Sequence, residues 1–161
     1  MSDSETDGLR RISGELDALP LETRRFATVY AYVLARVART DPGLGDAERE
    51  FMERAVVEAG HLSAPQAALV VQSALSMGSL YGATEDYVVT REFARVATRE
   101  QCEALLRTGF AVSAADDRVT PSEIAELNEI GAELGFDAAE VDAIRRDAFR
   151  QLGHVPAGNE D

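Results

Sequence analysis

The sequence holds no tryptophan, one cysteine, two histidines and little aromatic content, and its sixteen Lys and Arg residues face twenty-nine Asp and Glu. Each shortage excludes something. The lone Cys102 cannot close an internal disulfide, which fits a reducing compartment. It lies on an apolar stripe with no paired His, so it reads as a small core residue rather than a catalytic thiol. His61 and His154 have no partner at ligand or triad spacing, and both read as surface residues. No apolar run approaches the ~20 residues of a membrane helix. Met1 to Leu19 is acidic and polar, without a secretory hydrophobic region. No segment sustains period-two alternation, so no strand is expected. The net charge of −13 repels phosphate backbones and disfavours nucleic acid, while it attracts cations and basic protein surfaces.

Catalytic motifs are equally sparse. Gly78-Ser79-Leu80-Tyr81-Gly82 lacks the Lys that follows a phosphate-binding loop. Ser76, Ser79 and Ser113 have neither an elbow motif nor a placed base. The Glu-x-x-His of carboxylate enzymes on helical bundles is missing. An enzyme is therefore not expected.

What the chain does contain is helix chemistry. Met1–Asp7 reads as a disordered polar tail. Leu9, Ile12, Leu16 and Leu19 share one face of a first helix, about Gly8 to Leu19, which Pro20 ends. A second helix, about Leu21 to Arg39, carries the stripe Phe26, Val29, Tyr30, Val33 and Val37, with Arg24, Arg25, Arg36 and Arg39 largely off it. A third runs from about Asp46 to Ala59, with Phe51, Ala55, Val56 and Ala59 inward and Gly60 as its stop. Ser63 and Gln66 form a capping box for a fourth, to about Met77, which is apolar around nearly its whole circumference and so reads as buried. Gly78 to Ala83 reads as a linker. A fifth helix spans about Thr84 to Ala97. Thr98 with Gln101 opens a sixth, to about Ala115, with the stripe Cys102, Leu105, Gly109 and Val112. Thr120-Pro121-Ser122-Glu123 places an N-cap, Pro at the first helical position and a box-closing Glu, the strongest helix start in the chain. That seventh helix buries Ile124, Leu127, Ile130, Gly131 and Leu134 and stops at Gly135. Asp137 and Glu140 cap the eighth, with Val141, Ile144, Ala148 and Leu152 inward. The expectation is an all-α bundle of about eight helices, from residue 8 to 152, with 153–161 as a tail.

The chain also repeats itself. Asp41-Pro42-Gly43-Leu44-Gly45-Asp46-Ala47-Glu48 and Asp116-Asp117-Arg118-Val119-Thr120-Pro121-Ser122-Glu123 share an opening Asp, an apolar residue three further on and a Glu on the first turn of the next helix. At the same offset Tyr30 pairs with Leu105, Val37 with Val112, Met52 with Leu127, Ala55 with Ile130 and Gly60 with Gly135. This predicts two pseudo-symmetric three-helix repeats, about 21–77 and 98–152, whose equivalent acidic turns can approach one another.

The segment Val112 to Glu123, with Leu105-Leu106 before it and Leu127, Ile130 and Leu134-Gly135 after it, resembles the tellurite-resistance TerB-like family, a domain type also found at the N-terminus of a membrane-anchored DnaJ-type co-chaperone. Coverage runs from about Phe26 to Leu152. The first half matches through Asp41, Leu44, Glu48 and Gly60. Asp117 stands where the family usually has Gly, and Asp tolerates the left-handed region better than most residues. Pro42 holds the equivalent place in the first copy, and its fixed φ gives that turn a different shape. The resemblance implies an all-helical domain linked to stress and tellurite resistance, with acidic residues suggested to hold a divalent cation.

By their own spacing the acidic turns look like the back half of an EF-hand loop, with Val112 and Ala114 where the first ligands should be. One turn alone lacks the six to eight oxygens that calcium takes. A metal site therefore needs Asp41, Glu48, Asp116 and Glu123 to converge, joined by Asp46 or Asp117. Oxygen ligands would select calcium, magnesium or manganese. The bland alternative is helix capping: an Asp in a turn and a Glu three residues into a helix each stabilise by about 1 kcal/mol. The resulting expectation is a bacterial cytoplasmic, non-enzymatic interaction module with a protein partner, tuned by a divalent hard cation. A carboxylate-based hydrolase and a structural accessory protein without a ligand are the rival readings.

Overall fold

The computed structural model describes residues 3–38, 45–81, 86–114 and 119–151, and every regular element among them is helical. The eight helices are α1 (Asp3–Ala18), α2 (Leu21–Ala38), α3 (Asp46–Gly60), α4 (Ala64–Tyr81), α5 (Asp86–Val96), α6 (Arg99–Ser113), α7 (Pro121–Glu133) and α8 (Ala138–Gln151). α1 begins at Asp3, so part of the polar segment read as a tail is helical. α4 continues through Gly78 to Tyr81, into the segment read as a linker. His154 and Leu152 lie outside the described residues.

The starts follow the capping chemistry. Thr98 and Thr120 each accept from the backbone N–H three residues on, and the Gln101 and Glu123 side chains return the bond. Ser63 with Gln66 and Asp137 with Glu140 make the same reciprocal pairs. Each box satisfies two backbone donors that a helix start otherwise leaves without partners.

Helix ends were less legible. α7 closes as expected: Gly135 sits at φ 96, and the N–H groups of Gly135 and Phe136 donate to Ala132 and Gly131, the Schellman arrangement. At α3 the expected stop, Gly60, is still helical and buried, and the left-handed residue is His61 at φ 55. Gly60 serves close packing instead, since a Cβ there would lie 3.1 Å from the Cβ of Ala27 on α2. The two left-handed positions predict changes of opposite sign. Gly135→Ala should cost about 1–2 kcal/mol, whereas His61→Gly should raise stability by up to about 1 kcal/mol. Urea denaturation of both variants checks this, and a loss of stability in His61→Gly would mean that the imidazole contributes to the fold.

α2 is the central helix. Residues 30 to 38 are all buried, and it packs against every other described helix except α8. α4, expected to be buried all round, is not. Ala67, Val70, Val71 and Ala74 face the core, while Gln72, Ser73 and Ser76 are exposed. It packs against α2, α3 and α1, and the face with Gln72, Ser73 and Ser76 is left to solvent. α3 also turns differently from expectation. Glu48, Met52, Val56 and Gly60 face inward, and Phe51, Ala55 and Ala59 are only half-buried.

The two segments expected to repeat make similar sets of helix contacts. α2 contacts α3 and α4 as α6 contacts α7 and α8, the halves meet through α2 and α6, and α3 touches α6 as α7 touches α2. α3 and α7 start at Asp46 and Pro121, 75 residues apart. Leu34 and Gly109 are one such pair of buried positions, and Gly109 is small because Leu127 presses on it: a Cβ there would lie 2.7 Å from the Leu127 Cδ2.

Candidate functional site

Of the four carboxylates expected at the acidic turns, Asp41 and Asp116 lie outside the described residues, as does Asp117. Glu48 and Glu123 are described, and they occupy matching places. Each is the third residue of its helix, and each is 1% exposed. Asp46, offered as an extra ligand, is the first residue of α3 and is exposed.

Their local settings differ. Glu123 closes a capping box: its N–H donates to Thr120 Oγ1 at 3.1 Å, and its Oε1 accepts from the Thr120 N–H at 3.1 Å. Glu48 follows Gly45, which has extended backbone and supplies no side-chain cap. A buried carboxylate forfeits hydration worth several kcal/mol unless hydrogen bonds, a helix dipole or a cation replace it. Both Glu residues sit where the positive end of a helix acts.

The burial itself was not visible in the sequence. Gln101 and Glu140 hold the same box position in α6 and α8, and neither is buried. Glu123 is buried and Glu140 is not, although both close a capping box. Among the described residues no group of three or more His, Cys, Asp or Glu side chains could hold a metal ion. Glu48 and Glu123 supply two carboxylates, and hard cations take about six oxygens. Asp41, Asp116 and Asp117, the other carboxylates expected at such a site, lie in 39–44 and 115–118, outside the described residues.

A second charged constellation was missed. Arg36, expected off the apolar stripe of α2, is 5% exposed. Its Nε donates to Glu126, and its two terminal nitrogens grip Glu133 at 2.7 and 3.0 Å. It also donates to Thr90 of α5 at 3.1 Å and lies 3.5 Å from Glu129. Burial pulls the guanidinium pKa down, but the hydrogen bonds to Glu133 and Glu126, with their charges, more than reverse this and hold it above its ordinary value. One side chain thus ties α2, α5 and α7 together. The available signal was the row Glu126, Glu129, Glu133 on α7, spaced three and four apart on one face.

The other candidate groups lie apart from these carboxylates in the sequence. Cys102 is buried, and burial pushes its thiol pKa up, against the lowering charge of Arg99. Ser113 Oγ donates to the Phe110 carbonyl at 2.8 Å. His61 is exposed at the end of α3. Tyr30 donates to Thr108 Oγ1 at 3.0 Å across the α2–α6 contact. Burial raises its pKa, the Thr108 bond lowers it, and the charge of Glu58 raises it again.

A family model described as tellurite resistance protein TerB matches residues 27–146, most of the chain. No curated protein and no solved structure matches.

Proposed function

The chain belongs to the tellurite resistance protein TerB family, and from that premise we propose that it is a non-enzymatic binding module of the stress and tellurite response. In this reading Asp41 and Glu48 on one turn, and Asp116 and Glu123 on the other, hold a divalent hard cation, and the module acts in the cytoplasm by engaging a protein partner. No described helix is long and apolar enough to cross a membrane.

The observation that carries the proposal is the burial of Glu48 and Glu123 at matching helix positions. The capping bonds themselves do not need a charge. Gln66 and Gln101 make the same reciprocal bonds at the third position of α4 and α6. A neutral amide would do this work without the cost of desolvating a carboxylate. Two buried anions retained at equivalent places are understandable if they meet a cation. When bound, it would supply the positive charge that offsets their lost hydration and mutual repulsion.

The test exploits the same comparison. In Glu48→Gln with Glu123→Gln, the box at Thr120 keeps its geometry and only charge is removed. Titration calorimetry and thermal melts of the EDTA-stripped protein with calcium, magnesium or manganese should show saturable binding and a rise in Tm. Stabilisation by mass action should reach about 2.7 kcal/mol at a hundred times Kd. The double variant should show neither, and without metal it should be at least as stable as the natural protein. No saturable heat at millimolar concentration with any of the three ions would leave capping as the whole account of these carboxylates.

A further inference from the structure

The two halves differ on one face. In one, α5 lies across α2 and α7 and also touches α6. There Thr90 of α5 accepts from Arg36, and Phe93 inserts between α5 and α2, its ring 5.5 Å from that of Phe26 and 6.3 Å from that of Tyr30. The corresponding face of the other half is made by α6 and α3, with α2 and the C-terminal end of α8 alongside. Among the described residues no helix crosses it as α5 crosses its counterpart. A cleft of about 550 Å³ lies there instead.

The cleft differs in charge from the filled face. At the 75-residue offset that relates the starts of α3 and α7, Ala111 stands for Arg36, Phe51 for Glu126, Arg54 for Glu129 and Ala55 for Ile130, while Glu58 keeps the acid of Glu133. All five cleft residues line the opening, with Tyr30 at one wall. Ala111 leaves the space that the Arg36 side chain takes up on the other side. Arg54 lies over the Phe51 ring, 5.6 Å from its centroid, and among the described residues no carboxylate is paired with it. Of the other charged residues that line the cleft, Arg107 is paired with Glu103 and Asp147, and Glu58, one turn beyond Arg54, makes no ion pair with it among the described residues, so the exposed Arg54 is the group left to meet a carboxylate of a partner.

We propose that the cleft between α3 and α6 is a docking groove for a short amphipathic α-helix of a protein partner, one that carries a bulky apolar side chain for the slot over Ala111 and a carboxylate for Arg54. The class of occupant is set by α5, an eleven-residue helix that closes the corresponding face with one inserted aromatic ring. A helix laid in an apolar groove anchors through residues spaced three and four apart. Its charge is set by the exchange of Glu129 for Arg54. The proposal rests on the reading of the chain as a protein-binding module and is independent of the cation.

The test is a phage-displayed library of fourteen-residue, helix-biased peptides, apolar at positions i, i+3, i+4 and i+7 and free elsewhere, selected on the full chain. Enriched peptides should carry Asp or Glu beside the apolar stripe. Ala55→Arg, which fills the groove, should weaken them at least tenfold. Arg54→Glu, at an exposed position, should shift enrichment to basic peptides and keeps the test decisive if Ala55→Arg fails to fold. No enrichment, or binders indifferent to both changes, overturns the proposal. So does self-association in analytical ultracentrifugation that Ala55→Arg abolishes, which would give the groove to a second copy. Tighter peptide binding after removal of residues 152–161, which follow the groove residue Gln151, would give it to that segment and equally overturn the assignment. Calorimetry with metal ions reads none of these outcomes, so failure here and failure of the cation reading are separable.

Discussion

Replacing Arg36 with methionine should destabilise the fold by about 3–5 kcal/mol, the usual cost of breaking a buried ion cluster by removing one member. The Arg36 side chain is 4% exposed, and those of its partners Glu126 and Glu133 are 24% and 14% exposed, so water can recover little of the lost interaction. Methionine keeps most of the apolar stem, which separates the charge effect from loss of packing. The second half of the prediction is a rescue. Adding Glu126→Gln and Glu133→Gln to Arg36→Met should return most of the stability, because an ion cluster removed as a whole costs far less than one broken open. Denaturant melts of the single, double and triple variants measure this. If Arg36→Met alone loses less than about 1 kcal/mol, the value of an exposed ion pair, then Arg36 does not hold α2, α5 and α7 together.

Leu127→Ala should cost about 2–5 kcal/mol, the range for a fully buried leucine whose site cannot collapse. Leu127 is 1% exposed and presses on Gly109, where an added Cβ would meet its Cδ2 at 2.7 Å. This contact makes the effect of a second change depend on the first. In the natural protein Gly109→Ala overpacks the contact and should cost about 1–3 kcal/mol, less up to about 1 kcal/mol gained from better helix propensity. In the Leu127→Ala background the same methyl enters vacated space and should stabilise. A double-mutant cycle in urea reads the change of sign directly. Additive costs would mean that the helices shift apart to accommodate either residue, and that α6 and α7 do not meet at a fixed close contact.

Much of the fold is legible from short stretches. Thr98 with Gln101, Thr120 with Glu123, Ser63 with Gln66 and Asp137 with Glu140 name four helix starts, and all four form their reciprocal bonds. These signals work because a capping box is made within four residues and owes nothing to the rest of the chain. The stripes of α6 and α7 are similarly local, and Cys102, Leu105, Gly109, Leu127 and Ile130 are buried where their spacing puts them. The TerB resemblance also rests on a short segment, and the family match over residues 27–146 bears it out.

The candidate site was legible only in part. Glu48 and Glu123 could be named from the repeat, but not their burial, since Glu140 in the same kind of box stays half-exposed. The α3–α6 cleft had no signature at all. Phe51, Ala55 and Ala59 read as core because a stripe records which residues share a face, not whether another helix covers it.

The sequence by itself determined that the chain is helical, where its capped helices begin, that Gly135 ends α7 and which family it joins. Those outcomes depend on hydrogen bonds and side-chain contacts between residues three to six apart. Tertiary structure alone decided that Arg36 turns inward, that Gly60 is a packing residue and His61 the left-handed one, that α2 rather than α4 is the central helix, and that one face is closed by α5 while its counterpart is open. Each of these depends on which distant segment lies opposite. Arg36 meets Thr90, Glu126 and Glu133 at separations of 54, 90 and 97 residues. Burial of a charge is favourable or ruinous according to that neighbour, and no local pattern of residues encodes what will be brought against it.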